Sequence, residues 1–206
     1  VVGGLWAGPA MWFVARDLLP GLLADPGDLV APDALAGSLV GGVVLAFAAA
    51  GLYARRGWRE TFARLGLARP RASDALTVAA ATAALWLLNS GAEWLERAWL
   101  PELWRHDSAF GVALAGAMGP GRTLLLGLSA GVGEEITLRG ALQPKLGVFL
   151  TALLFAVLHV QYSWYAMLTL LLFGVLLGLV RRHSSTTVVI AVHALYDVLA
   201  VATARP

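Results

Sequence analysis

From Ala34 to Ala54 the chain carries no charged residue. A helix needs roughly 17–25 such residues to cross the hydrocarbon of a bilayer, and further apolar blocks of similar length follow. With 59% hydrophobic residues, a mean hydropathy of +0.74 and 14% charged residues, the chain falls well below the roughly 25% charge of a soluble domain. The reading is an all-α fold: a polytopic transmembrane helical bundle of about seven spans, with residues 1–206 forming a single integral membrane domain and no separate soluble one.

Seven blocks are expected, near Gly3–Leu23, Ala34–Ala54, Asp74–Ala92, Arg122–Leu142, Val148–Val160, Trp164–Val180 and Thr186–Ala202. The first is the poorest, interrupted by Arg16 and Asp17. A shorter apolar piece, Ala109–Met118, ends at Gly119-Pro120-Gly121. Between the second and third blocks lie Arg55, Arg56, Arg59, Arg64, Arg69 and Arg71 against Glu60 alone. Trp58, Phe62, Leu65 and Leu67 are interleaved there, a pattern suited to an amphipathic segment on the headgroups. With this loop in the cytoplasm by the positive-inside rule, alternation puts Arg139/Lys145 and Arg181/Arg182 inside. Glu93, Glu96, Glu102 and Asp107 then fall outside, anchored by Trp94, Trp99 and Trp104.

The pI near 9.4 thus reports topology, so the lipid bilayer is the expected partner and nucleic acid is not. The absence of cysteine excludes disulfides and thiolate metal sites. The chain begins at Val1 without an initiator Met, and the expectation is that its true N-terminus is missing. Its Ala, Gly, Leu and Arg bias, with Lys145 the single lysine, points to a GC-rich bacterial genome and so to the bacterial inner membrane.

Glu134 and Glu135 stand side by side in the fourth block. Each acid near a helix centre costs roughly 2.5–3.5 kcal/mol, which makes such residues functional candidates. If the chain turns at Gly147, Glu134 lies 13 residues before the turn and His159 12 after, both about 18–20 Å deep at 1.5 Å per residue. His193 and Asp197 in the last block lie about 10 and 16 Å deep. Three helices thus bring acid and imidazole to comparable depth, as one polar site buried within the membrane would require. Glu135/Arg139 and His193/Asp197 are i,i+4 pairs, each on one helix face. The division of labour that follows has Glu135 held by Arg139 to organise the site and Glu134 facing a cavity as general base. Phe155 is placed to pack on His159. Taken singly, each pair reads as ordinary structure; Gly174 and Gly178 read as a helix-packing face, His106 and His183 as solvated, and Asn89 has no derivable role.

The order Glu134-Glu135-x-x-x-Arg139, Phe155-x-x-x-His159, His193-x-x-x-Asp197 resembles the CPBP family of intramembrane proteases, the CAAX proteases and bacteriocin-processing enzymes related to the CAAX prenyl endopeptidases. The resemblance covers Thr123 to Ala202, within catalytic core helices over residues 122–203. It departs at Leu138, where the family commonly has an aromatic, and at Asp197, often Asn in the family. It implies an endopeptidase acting on a peptide or protein at the membrane. Glu134 and His159 would activate water, with His193 and Asp197 at the oxyanion and Asp197 orienting His193. The favoured reading requires no cofactor. The family's metalloprotease label brings the alternative of zinc held by His159, His193 and Glu135 or Glu134, since two His and one carboxylate form a catalytic zinc set; the chain has no His-Glu-x-x-His. Two further alternatives are a proton-coupled transporter, against which stands the lack of an internal repeat, and a non-catalytic immunity or scaffold protein.

Overall fold

The computed structural model describes residues 30–204. The expected first span, with Arg16 and Asp17, lies outside them. The described chain runs α1 (Pro32–Ala50), α2 (Trp58–Leu65), α3 (Asp74–Trp99), α4 (Pro101–Gly116) and α5 (Pro120–Leu128). The helix then widens into π turns over Ser129–Glu134 and Ile136–Leu142, followed by α6 (Gln143–Val157), α7 (Trp164–His183) and α8 (Thr186–Thr203). Prolines sit in the first turn of α1, α4, α5 and α6, where no amide hydrogen is needed. Ser163 and Ser185 cap α7 and α8 by accepting from Ala166 N and Val188 N, which satisfies amides the first turn leaves bare.

Among the described residues, five helical stretches are long and apolar enough to cross a membrane: Pro32–Ala50, Asp74–Trp99, Pro120–Val157, Trp164–His183 and Thr186–Thr203. The third is 38 residues long and folds back on itself, as the expected fourth and fifth spans require. The Arg139 guanidinium lies 4.8 Å over the Phe155 ring, whereas sixteen residues of straight helix would separate them by about 24 Å. The turn is at Gly147, whose φ of 77° and ψ of 176° break the helix. The expected third span is too short by two turns: α3 continues through Glu93 and Glu96 to Trp99, because Glu96 is buried against α7. The piece expected at Ala109–Met118 is the end of α4, a 16-residue helix.

Lipid tails are as apolar as leucine, so helices here associate through close packing and hydrogen bonds. Small residues set the approach. A Cβ on Gly42 of α1 would lie 2.7 Å from Gly133 O, and one on Gly131 would lie 2.9 Å from Ile190 O of α8. Gly174 and Gly178 bring α7 onto Ala152 and Val148, the packing face expected of them. One core gathers Leu85, Leu138, Phe155, Phe173, Leu177 and Val192; a second gathers Ala46, Leu65, Ile136 and Ala141. An apolar groove of about 450 Å³ between α3 and α7, lined by Leu76, Ala80, Ala84 and Val180 among others, holds none of the motif residues.

The two faces divide as charge alternation requires. On the basic side, Arg64 donates to Gly140 O and Ala141 O (3.1 and 3.3 Å). Thr186 joins α2 to the start of α8 through Leu65 O (2.6 Å) and Gly66 O (2.9 Å), and Arg181 Nε donates to Thr186 Oγ1 (2.7 Å). On the acidic side, α3 and α4 meet the start of α7 through Glu96, Asp107 and Ser163. His106 and His183 are exposed, and Asn89 donates to Glu93 Oε1 at 2.7 Å.

Candidate active site

Both acids of the pair fall in or beside the π turns, which leave the backbone wider than an α-helix and frequently mark functional sites. Thr137 Oγ1 bonds Gly133 O and Gly42 O (2.9 and 3.0 Å), pinning this segment to α1. Glu135 is fully buried. Its Oε1 accepts from Arg139 Nη1 (2.8 Å) and from His193 Nδ1 (2.7 Å). Arg139, also fully buried, donates from Nη2 to Gly174 O (3.3 Å) and stacks its guanidinium on Phe155. Glu135 thus pairs with Arg139 one turn on and also joins this segment to α8 through His193.

The imidazoles approach one another around Phe155. Its ring centroid lies 4.7 Å from that of His159 and 5.8 Å from that of His193. Phe173 stacks on Phe155 at 5.9 Å and meets His193 edge-on at 5.7 Å. His159 Nδ1 lies 2.8 Å from Phe155 O. A carbonyl only accepts, so Nδ1 carries the hydrogen and Nε2 is left with its lone pair. His193 is held between carboxylates, with Nδ1 on Glu135 and Nε2 3.6 Å from Asp197 Oδ2. The latter separation is an ion-pair contact longer than a hydrogen bond. Among the described residues Glu134 makes no hydrogen bond, and its Oε2 is buried. It lies close enough to His193 and Asp197 to interact with them electrostatically.

Irregular backbone follows His159, as its position near the end of a short span requires. Its polar groups are met locally: His159 N bonds Ala156 O (3.1 Å) and Tyr162 N bonds His159 O (3.2 Å). The stretch is not wholly enclosed, because Leu158 and Val160 turn outward. The zinc alternative does not fit the donor set. Among the described residues no three His, Asp or Glu side chains are grouped to hold a metal ion. His193 commits Nδ1 to Glu135, and Glu135 Oε1 already serves two partners.

Sequence reasoning missed several supports. Phe173 and the Gly174 carbonyl complete the surroundings of Arg139 and His193, and Gln143 Nε2 bonds Gly178 O at 2.9 Å. Glu96 and Asp107 were read as outer-face topology signals, yet Glu96 is only 4% exposed. The available signal was Glu96 itself, an acid one turn after Glu93 in a helix rich in Trp and Leu.

No curated protein and no solved structure matches the chain. A protein-family model described as Rce1-like, type II CAAX prenyl endopeptidase Rce1-like, matches residues 117–199. That stretch contains Glu134, Glu135, Arg139, His159, His193 and Asp197, of which Arg139, His159 and His193 pack on Phe155. Residues 117–199 thus carry an Rce1-like domain, matching the CPBP family of CAAX-type intramembrane proteases.

Proposed function

We propose that the protein is an intramembrane endopeptidase in which Glu134 and His159 activate a water for attack on a peptide carbonyl, with His193 and Asp197 supporting the oxyanion. The observation that carries this reading is the contrast between the two acids. Glu135 is bound through Oε1 by Arg139 and His193, its Oε2 alone being left unpartnered, whereas Glu134 has no hydrogen bond among the described residues and a buried Oε2. Buried polar atoms are rarely left so, and a carboxylate oxygen near the His193 imidazole is a natural seat for a reacting water.

Glu134 takes a proton as the water oxygen adds to the carbonyl carbon, and the His159 Nε2 lone pair orients the water's second hydrogen. Negative charge develops on the carbonyl oxygen. His193 meets it with Nε2–H while Nδ1–H stays on Glu135, the two flanking carboxylates balancing the ring's charge; one such donor is worth about 3–4 kcal/mol in a dry site. Collapse reforms the carbonyl, breaks the C–N bond and passes the proton from Glu134 to the leaving amine. The substrate is a peptide or protein reached at the membrane, and the composition favours a bacterial inner membrane.

The test is a peptide-library cleavage assay on the purified wild type and Glu134→Gln. Loss of a general base lowers kcat by roughly 10²–10⁴. The variant should melt with the wild type, because no hydrogen bond of Glu134 is lost. Undiminished turnover in Glu134→Gln would rule out the proposed base.

A further inference from the structure

His159 sits at the end of α6, where the chain leaves the helix for the turn 158–163. A ring in such a place is aimed only as well as the turn is held. The turn is anchored at Ser163 by two acids from elements far away in sequence. Ser163 N donates to Asp107 Oδ1 (2.9 Å) and Ser163 Oγ donates to Glu96 Oε1 (3.3 Å). Asp107 Oδ1 also meets His106 Nδ1 at 2.9 Å. Asp107 Oδ2 is buried with no hydrogen-bond partner among the described residues. Glu96 is 4% exposed and the Asp107 side chain 10%. Burying two acids is costly in any protein, and here both grip one serine. Around them, Tyr165 Oη donates to Ala92 O (3.1 Å), and Tyr162 packs edge-on against Phe110 at 5.3 Å while stacking on His159 at 6.5 Å. A chain of contacts thus runs from α3 and α4 through Ser163 and Tyr162 to the His159 ring.

We infer that Glu96 and Asp107 are positioning residues for His159, fixing through Ser163 the turn that aims its Nε2 at the reacting water. The inference rests on His159 belonging to the proteolytic site. A misplacement of about 1 Å at such a group costs roughly 100-fold in rate. The experiment uses the full chain in nanodiscs with peptides the wild type cleaves, and it follows the ¹⁵N imidazole resonances of His159. Asp107→Ala should lower kcat about 100-fold with KM unchanged and shift the His159 signals. Asp107→Asn keeps the acceptor for Ser163 N, so it should restore both. Should Asp107→Ala fail to fold, Ser163→Ala removes only the hydroxyl contacts and should move both readouts in the same direction by less. Wild-type kcat with unmoved His159 resonances in the alanine variants would overturn the inference, as would an Asp107→Asn as impaired as Asp107→Ala. If the wild type cleaves no peptide, the proteolytic reading fails, and the His159 resonances alone decide whether the acids hold the ring.

Discussion

Replacing Glu135 by alanine leaves the Arg139 guanidinium buried without its carboxylate, and a buried charge stripped of its partner costs about 3–5 kcal/mol. Glu135→Ala should therefore lose both stability and activity, while Glu134→Gln loses activity alone; unfolding in detergent measured beside turnover separates them. The opposite result, with Glu134 carrying the stability, would invert the roles assigned to the two acids. The i,i+4 pairs Glu135/Arg139 and His193/Asp197 were legible because helical spacing alone brings such residues together. The Glu135–His193 bond spans 58 residues and was not legible. Residue counting gives depth in the membrane but not the rotation of one helix about its axis. Glu96 and Asp107 were misread for a related reason, since an acid near a membrane interface looks the same to the sequence whether it faces water or a neighbouring helix.

At the scale of elements, the seam between α1 and the π turns is the one that sets Glu134. Gly42→Ala drives a methyl group to 2.7 Å from Gly133 O, and overpacking of this kind costs about 1–3 kcal/mol. Because Gly133 precedes Glu134, the variant should lose both thermal stability and turnover. Gly41→Ala, one residue away with nothing within 4 Å of the added carbon, should lose neither; equal effects in the two variants would show that helix propensity, not the seam, governs α1. Hydropathy placed α1, α7 and α8 within a few residues, because lipid demands an unbroken apolar run. The π turns were invisible in sequence, since the same side chains fill an α or a π turn and only the surrounding packing selects between them.

Across the whole molecule, the arginine loops and acidic loops occupy opposite faces. The chain has no cysteine, so single-cysteine variants report on sidedness directly. In sealed vesicles of known orientation, Arg59→Cys should react with an impermeant maleimide from the cytoplasmic side and Glu102→Cys from the outer side; the reverse pattern would refute the assigned orientation. The grouping of basic loops apart from acidic ones was legible along the chain, and the side each group takes is what the labelling decides. One torsion angle has a consequence that no contact map reveals. An alanine carbon at Gly147 would touch nothing within 4 Å, yet the backbone there occupies a region that essentially only glycine tolerates. A saturation scan should find a sterically empty position that accepts no other amino acid, since the distance between acid and imidazole is written into that single bond rotation.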